Sequence, residues 1–586
     1  METMRAMPEA IAFDDNDKPD IRDHFPFPSI RPGQELGLQA IERAVASGKK
    51  FIVLEAPTGV GKSAVGVAAG SWAKTLDAPA DVQRGAYYCT PQKSLAEQAM
   101  RDFGPMGLVE LKGRSNYTCP GFSYEDGSPM DCETAGLLYE EHQAECRGYK
   151  LAKSLFASRS FGITNFAYYL TESNYIRQLP RRNMLILDEC HGTEQHILSL
   201  ADIEVNRHRC EDVGIVYETV PYISPASRPE VAIGQAVDWL AMAFKPAAEN
   251  AISELQHQAE GKKDGEQREA AKLMRKANGL ERFLQQLGFF LDAGDRRDWI
   301  AWSETDIGHC VACGVKVKSG SKKCFRCHAM VPLIPAKMVV KPLTATLFAD
   351  DFFFSKAGLI VMMSATVLDF ETFLRNLGIS RDEAECVAVD SDFPPENRPI
   401  YLKYAGYMNY RNIESTLPRL ANYVEWAMKE HANEKGIVHC VSFKVASYLV
   451  QELSKRGFGG RILSHGTESG CSREGIIETH IKSPGPTVLF SPSMGEGLDL
   501  KDDLSRFQVI AKVPYKALDV YVKARMQRDP DWYNLQTALA IVQATGRSVR
   551  SKTDKAVTYI FDRDFESFVH KAGHMLPKWW VDAIVG

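Results

Sequence analysis

The chain has 586 residues, which is too long for one hydrophobic core, since single cores stop growing near ~250–300 residues. A formal net charge of −5 excludes binding to nucleic acid through overall positive charge, so any such contact must use local basic patches. The N-terminus lacks the apolar core of a secretory signal, and no apolar run reaches the ~18 residues of a membrane span. The thirteen cysteines cluster as metal ligands do, so we expect a reducing, cytoplasmic location.

Helices and short apolar strands alternate from about residue 35 onward. The strand FIVLE precedes a glycine-rich loop and an alanine-rich helix, and the strand AYYCT precedes a helix near Ser94. The alternation breaks at about 111–160, resumes with NMLILDE, and breaks again in a charged, mostly helical interval at about 200–335. GLIVMM restores it, and a second set runs through GIVHCVSF, TVLFSPS, RFQVIAKV and AVTYIFD. This alternation predicts α/β units with parallel, doubly wound sheets.

The segment APTGVGKS follows the first strand and has the form of a phosphate-binding loop. Its glycines allow backbone N–H groups to surround a phosphate at a helix N-terminus. In that geometry Lys62 reaches the β- and γ-phosphates of ATP, and the Ser63 hydroxyl binds Mg²⁺. The other candidate nucleotide-binding residues of the loop are Ala56, Pro57, Thr58, Gly59, Val60 and Gly61. Ala56 stands where the general pattern has glycine.

The segment NMLILDECH places two acidic residues at the carboxyl end of a buried strand, where open sheets bind ligands. Asp188 suits Mg²⁺ coordination, and Glu189 suits orienting and deprotonating an attacking water. His191 either couples the nucleotide site to the second half of the chain or caps the turn.

The segment QATGRSVRS contains Gln543, Arg547 and Arg550, which share one face if the segment is one helix. Such a face can present guanidinium groups to a γ-phosphate bound by the other half of the molecule, and an arginine finger contributes roughly 10³–10⁵ in rate. The alternative is a basic helix that faces solvent.

These segments, in this order, resemble the motifs of superfamily 2 helicases of the XPD/DinG family. FPFPSIRPGQ resembles the upstream element, with Gln34 available to read the adenine edge, and YYCTPQKSLAEQ resembles motif Ia. The DEAH-like DECH, SAT at 364–366 and QATGRSVRS resemble motifs II, III and VI, and SPSMGEGLDL resembles motif V, with Glu496, Gly497 and Asp499. LKGRSNYTC resembles the start of the family's iron–sulfur domain, and KPLTATLF its return from the Arch insertion. The CRISPR-associated DinG type and phage or plasmid relatives are among the proteins that the chain resembles.

The resemblance implies two RecA-like lobes that close on ATP and move 5′ to 3′ on single-stranded or forked DNA, as a monomer. Repair, replication and mobile-element or CRISPR-linked processes all suit such a motor. Two alternatives are an ATP-gated scaffold that binds nucleic acid without processive unwinding, and a helicase that acts on RNA or a ribonucleoprotein. The implied organisation is a flexible tail at 1–20, a first lobe at 21–110, 161–200 and 336–378, an iron–sulfur-type insertion at 111–160, an Arch-type helical insertion at 201–335, and a second lobe at 379–586.

The insertion at 111–160 departs from the family pattern, because a [4Fe–4S] cluster usually takes four cysteines. Only Cys119, Cys132 and Cys146 are present. Three outcomes remain open: a cluster with an unusual fourth ligand such as His142 or Asp131, a different metal, or an insertion without metal.

A second cysteine group at 308–330 forms two CxxC pairs, made by Cys310, Cys313, Cys324 and Cys327. This spacing predicts a structural Zn²⁺ ribbon within the Arch-type insertion, with His309 and His328 as bystanders. The basic and aromatic residues of the ribbon are Lys316, Lys318, Lys322, Lys323, Phe325 and Arg326. They suit contact with a nucleic-acid backbone and an unstacked base, or equally a solvated face.

Overall fold

Two seven-stranded parallel sheets form the framework of the molecule. The computed structural model describes residues 20–139, 142, 146–176, 178–262, 266–305, 308–309, 312–313, 315–317, 323–330, 335–465, 472–492, 500, 502–546, 548–549 and 551–585. Among these residues, no helix combines the length and the apolar character needed to cross a membrane.

The first 200 residues supply most of the first sheet and a small insertion. Their strands are β1 (Phe51–Glu55), β2 (Gln83–Thr90), β3 (Val109–Glu110), β4 (Thr118–Ser123), β5 (Pro129–Asp131), β6 (Phe161–Asn165) and β7 (Arg182–Asp188). Their helices are α1 (Pro32–Ala46), α2 (Lys62–Trp72), α3 (Lys93–Phe103), α4 (Cys132–Leu138), α5 (Tyr149–Ser158), α6 (Phe166–Thr171) and α7 (Thr193–Ser199).

Residues 201–390 form a larger insertion and then return to the first sheet. Their strands are β8 (Ile203–Asn206), β9 (Trp299–Thr305), β10 (Gly308–His309), β11 (Lys316–Val317), β12 (Pro335–Pro342), β13 (Ala357–Ser364) and β14 (Ala384–Ala388). Their helices are α8 (Arg207–Asp212), α9 (Pro229–Trp239), α10 (Lys245–Glu260), α11 (Gln267–Leu291), α12 (Ala349–Phe352) and α13 (Phe370–Leu377).

The first sheet has the strand order β14-β1-β13-β7-β2-β6-β3, and all neighbours are parallel. Every residue of β1 and β7 is buried, as expected for strands covered on both faces. Strand β14 pairs with β1, so the first lobe extends to Ala388 rather than ending at 378, where the sequence placed its boundary. The parallel order brings the carboxyl ends of β1, β7 and β13 to the same edge.

The Arch-type insertion contains a sheet that the sequence did not predict. Strand β12 pairs antiparallel with β8 and β9, so residues 336–342 belong to the insertion and not to the first lobe. The charged helices α10 and α11 pack against each other, and Gln256 donates a hydrogen bond to Glu281 at 3.1 Å. Their apolar faces join the core that also covers β1 and β2.

The small insertion consists of the β4–β5 hairpin and helices α4 and α5. It contacts α11 through Arg268, which pairs with Asp126 at 2.6 Å and lies 4.3 Å from the centre of the Tyr124 ring. The two insertions are therefore in direct contact.

Residues 391–585 form the second lobe. Its strands are β15 (Ile400–Gly406), β16 (Gly436–His439), β17 (Ile462–Ser464), β18 (Val488–Ser491), β19 (Phe507–Ile510), β20 (Val557–Asp562) and β21 (Ile584–Val585). Its helices are α14 (Ile413–Glu430), α15 (Phe443–Leu453), α16 (Arg473–Lys482), α17 (Val520–Arg528), α18 (Pro530–Thr545), α19 (Asp564–Ala572) and α20 (Lys578–Val581). The parallel strand order is β17-β18-β16-β19-β20-β15-β21, which confirms the predicted two-lobed α/β fold class.

Candidate functional site

The phosphate-binding loop lies between β1 and α2 and requires glycine at two positions. Gly59 and Gly61 have φ values of 91° and 90°, in the left-handed region that favours glycine. A Cβ atom on Gly59 would lie 2.3 Å from the Phe393 ring, and one on Gly61 would lie 2.5 Å from Nε2 of Gln34. The loop is thus enclosed by the upstream element on one side and by the connection to the second lobe on the other.

Gln34 is buried beside this loop, where its Oε1 accepts a hydrogen bond from the backbone N–H of Arg31 at 2.9 Å. Arg31 in turn donates to the carbonyl of Gly59 at 2.8 Å. The upstream element therefore holds the loop in place, in addition to the adenine contact that the resemblance implies for Gln34.

Lys62 and Glu189 meet at the centre of the site, with Nζ and Oε1 3.2 Å apart. Glu189 follows β7 in a left-handed conformation, with φ 50° and ψ 48°, which is unusual for a residue with a side chain. Burial acts to raise the pKa of Glu189, but the charge of Lys62 and the hydrogen bond with His191 outweigh it and lower that pKa. Glu189 is therefore held as a carboxylate.

Asp188 is buried, and its carboxylate accepts hydrogen bonds from the Tyr88 hydroxyl at 2.9 Å and from the Glu189 backbone N–H at 3.0 Å. The Tyr88 hydroxyl also hydrogen-bonds Ser63, so both candidate Mg²⁺ ligands converge on one phenol. A carboxylate and a hydroxyl are hard oxygen donors of the kind Mg²⁺ prefers, and the pair fits that ion. Burial, followed by the charge of Glu189, raises the pKa of Asp188.

A chain of polar contacts leads from Glu189 to the second lobe. His191 Nδ1 lies 3.4 Å from Glu189 Oε2 and 2.8 Å from Ser364 Oγ, at the end of β13. The Ser364 hydroxyl donates to the Thr366 carbonyl at 3.1 Å, and Gln543 of the second lobe donates to the Thr366 hydroxyl at 3.1 Å. Of the two interpretations of His191, the geometry favours coupling over a turn cap.

Glu55 is a site residue that the sequence reasoning missed. Its buried carboxylate, at the end of β1, accepts hydrogen bonds from the backbone N–H groups of Val367 and Leu368, at 3.0 and 2.6 Å. Burial raises the pKa of Glu55. The available signal was an acidic residue that ends an otherwise apolar strand. Glu55 ties the loop after β13 to the strand before the phosphate-binding loop.

The two lobes enclose a cleft of about 1110 Å³. The first lobe lines it with Thr58, Glu189 and Thr366, and the second lobe with Gln543 and Trp579. Thr58 of the phosphate-binding loop and Glu189 therefore face a space that both lobes border.

The prediction that Gln543, Arg547 and Arg550 share one helix can be followed only for Gln543, which lies in α18. Helix α18 ends at Thr545, and Gly546 caps it by donating its backbone N–H to the Val542 carbonyl at 3.0 Å. Glycine is a poor helix former, and the described residues Ser548 and Val549 are not helical. Arg547 and Arg550 lie outside the described residues, as do Glu496, Gly497 and Asp499.

A second contact between the lobes is centred on Arg525, in α17, which is 1% exposed. Its guanidinium group donates to Glu194, to the Leu343 carbonyl and to Asn376, the last at 3.1 Å. Trp532 also donates to Glu194, at 3.1 Å. Since Glu194 lies in the first turn of α7, three residues after His191, this contact joins the second lobe to the segment that carries Glu189.

The cysteines of the small insertion form one group with a histidine. The donor atoms of Cys119, Cys132, His142 and Cys146 all lie within 4.8 Å of one another, and all four residues are buried. Asp131, the other candidate fourth ligand, instead caps α4 by accepting hydrogen bonds from the backbone N–H groups of Glu133 and Thr134, both at 2.9 Å. The structure thus favours His142 over Asp131.

The ribbon group brings together the donor atoms of Cys313, Cys324 and Cys327 within 4.8 Å, and the first two sulfurs are 3.6 Å apart. A hydrogen bond from the backbone N–H of Cys327 is the main reason that the pKa of Cys324 is lowered, to about 6. Three converging thiols suit tetrahedral Zn²⁺. Cys310, Lys318 and Lys322 lie outside the described residues, whereas the Phe325 side chain is exposed.

Two parallel-sheet lobes, a phosphate-binding loop and an Asp-Glu pair whose Glu189 lines the cleft between them define a two-lobed P-loop protein. The family described as Helicase C-terminal domain matches residues 426–583. The chain is 24% identical over 202 residues to the ATP-dependent DNA helicase YoaA of Haemophilus influenzae, and this match covers 33% of the chain and 30% of that relative. The match therefore spans less than a third of the relative's length.

Solved structures of XPD proteins match along nearly the whole chain. An XPD helicase has a TM-score of 0.58 and 15% identity, over 95% of this chain and 98% of its own. Xpd4 from S. tokodaii has a TM-score of 0.52 and 14% identity, over 94% and 99%. The similarity to XPD/DinG-like superfamily 2 helicases that the motifs predicted is confirmed at the level of the fold, and residues 426–583 match the helicase C-terminal domain.

Proposed function

We propose that the chain is an ATP-dependent DNA helicase or translocase that moves along single-stranded DNA. The observation that carries the proposal is the chain of polar contacts from Lys62 and Glu189, through His191 and Ser364, to Gln543 of the second lobe. A ligand that binds in the cleft and changes these contacts would therefore change the relative position of the two lobes.

The residues around the cleft divide the chemistry of ATP hydrolysis among them. Lys62 would contact the β- and γ-phosphates, while Ser63 and Asp188 would hold Mg²⁺, which offsets phosphate charge when bound. Glu189 would orient and deprotonate the attacking water, as its ionised state and central position allow. Gln543, with Arg547 and Arg550, would contact the nucleotide from the second lobe.

Movement requires that ATP bind one arrangement of the lobes more tightly than another, because a ligand shifts an equilibrium only by its differential affinity. Lys62 and Glu189 form an ion pair with each other, and an arriving γ-phosphate competes with Glu189 for Lys62. When Glu189 is released from Lys62, its contact with His191 changes. His191 is also hydrogen-bonded to Ser364, which connects to the second lobe. ATP binding would thereby close the cleft, and hydrolysis would open it.

Two further features support DNA as the substrate and a 5′-to-3′ direction. The curated relative is named an ATP-dependent DNA helicase. The motifs resemble a family whose members characteristically move 5′ to 3′. Repair, replication and mobile-element or CRISPR-linked processes all suit such a motor.

Strand displacement tests the proposal directly. Duplexes with a 5′ or a 3′ single-stranded tail are incubated with the full chain and ATP, and the Glu189→Gln variant serves as the hydrolysis-deficient control. We expect displacement of the 5′-tailed duplex only, with ATP turnover stimulated by single-stranded DNA more than by RNA. Stimulation by RNA alone would identify an RNA helicase, and DNA binding without stimulated turnover or displacement would identify a scaffold; either result contradicts the proposal.

A further inference from the structure

The donor group of the small insertion does not fit the [4Fe–4S] cluster that the family resemblance implies. Cys132 Sγ and Cys146 Sγ are 3.7 Å apart, and all four donors lie within 4.8 Å of one another. Two thiolates on a single tetrahedral ion, each at about 2.3 Å, lie about 3.8 Å apart. A four-iron cube places each thiolate on a different iron and so holds the sulfurs farther apart than a single ion does. The spacing matches one ion.

His142 has the features of a ligand. The residue is 5% exposed, and Nε2 is buried with no hydrogen-bond partner among the residues that the structure describes. An unpaired nitrogen at this depth is unfavourable unless something binds it. A Cβ atom on Gly136 would lie 3.1 Å from Nδ1 of the ring, so glycine at that position makes room for the ring beside the three thiols.

The backbone around the sulfurs supplies hydrogen bonds suited to thiolates. The Tyr149 N–H donates to Cys132 Sγ at 3.4 Å, and the backbone N–H groups of Gly148 and Lys150 hydrogen-bond Cys146. A Cβ atom on Gly148 would lie 2.8 Å from Cys132 Sγ, so the chain approaches that sulfur as closely as glycine allows. Such outer contacts orient metal-bound thiolates and offset their charge.

We propose that Cys119, Cys132, His142 and Cys146 form a mononuclear Cys₃His zinc site in place of the iron–sulfur cluster. Three thiolates and one imidazole, all within 4.8 Å of one another, are a donor set typical of structural Zn²⁺. All four positions are occupied by protein ligands, so the ion has no open position for catalysis. Its role is to hold the β4–β5 hairpin to α4 and α5.

The site lies beside the contact between the two insertions. Asp131 and Thr134, at the start of α4 next to Cys132, both face Arg275 of α11; the Asp131 carboxylate is 3.8 Å away, and Thr134 accepts a hydrogen bond from the guanidinium. The ion therefore fixes the end of α4 that meets the Arch-type insertion.

Metal content of the full chain, purified without oxygen, tests the proposal. We expect two zinc ions per chain, one in each site, with neither iron nor acid-labile sulfide. Cys313→Ser should remove only the ribbon ion and His142→Ala only the other, while His257→Ala, at an exposed position of α10, should remove neither. Iron with sulfide, or a single zinc that His142→Ala leaves in place, would overturn the proposal.

Cobalt provides a second readout in case His142→Ala fails to fold. In a Cys313→Ser background loaded with Co²⁺, the visible spectrum should show tetrahedral coordination by three thiolates and one nitrogen. Adding His142→Cys should keep the ion bound and shift the spectrum to that of four thiolates. An unchanged spectrum in the His142→Cys protein would show that His142 is not a ligand.

Discussion

Glu189 occupies a backbone conformation that costs roughly 1–2 kcal/mol for a residue with a side chain. The strain places its carboxylate between the Lys62 ammonium and the His191 ring, at 3.2 and 3.4 Å. Strain of this kind persists where the surrounding contacts determine it, and it concentrates at functional sites. Here it positions a single carboxylate to contact both the phosphate-binding lysine and the path to the second lobe.

The Glu189→Gln substitution keeps the shape of the side chain but removes the base. We expect ATP binding to persist while turnover falls by about 10²–10⁴, the usual contribution of a positioned general base. Nucleotide affinity and DNA-stimulated phosphate release measure the two effects separately. Glu254→Gln, at an exposed position of α10, is the matched control and should leave both unchanged. Undiminished turnover in Glu189→Gln would refute the assigned role.

The chain of polar contacts that starts at Glu189 reaches the second lobe where α18 meets the loop after β13. Gln543 donates to Thr366 at 3.1 Å, and this bond joins the two lobes. We expect Gln543→Ala and Thr366→Ala each to lower DNA-stimulated ATP turnover, and the double variant to be no worse than the more damaged single one. Residues in contact couple by roughly 0.5–3 kcal/mol. Gln536→Ala, on the same helix, is the control, and strictly additive losses would argue against a shared path.

Helix α17 makes another contact between the lobes, and its buried ion pair between Arg525 and Glu194 should contribute more to stability than the exposed pair between Arg375 and Asp529 nearby. Removing one partner of a buried pair costs about 3–5 kcal/mol, whereas exposed pairs contribute ~0–1 kcal/mol. Arg525→Ala, which leaves Glu194 without its cationic partner, should therefore lower the thermal melting temperature clearly. Arg375→Ala, which breaks a half-exposed pair with Asp529 at 3.0 Å, should lower it little. Equal shifts would show that burial of Arg525 is not what stabilises this contact.

Elements with a strong local signal could be predicted from the sequence. The apolar runs that precede the GKS loop and the DECH segment predict buried parallel strands with loops at one edge, and the first sheet confirms this. The end of α18 was missed, because helical spacing of arginines was given more weight than the glycine at 546. Strands β12 and β14 were assigned to the wrong units, since pairing partners lie far away in sequence. His142 could not be separated from Asp131 until the fold brought one to the sulfurs and used the other as a cap.

In the molecule as a whole, two sets of contacts connect the nucleotide site to the second lobe: the chain of polar contacts that starts at Glu189, and the contact centred on Arg525. Both leave the first lobe from residues 188–194, one through His191 of the DECH segment and the other through Glu194 of α7. Any ligand that repositions this segment therefore acts on two contacts between the lobes at once. This arrangement suits a cycle in which the lobes move as rigid bodies about the cleft.

The distance between the lobes in each nucleotide state tests this account most directly. Fluorophores on the exposed residues Asp77 and Tyr410, one in each lobe, report that distance by energy transfer in the full chain bound to single-stranded DNA. We predict a shorter distance with a non-hydrolysable ATP analogue than with ADP or no nucleotide, and no change in the Lys62→Ala variant. The same distance in all three states of the unsubstituted protein, with the analogue shown to be bound, would contradict the claim that nucleotide closes the cleft.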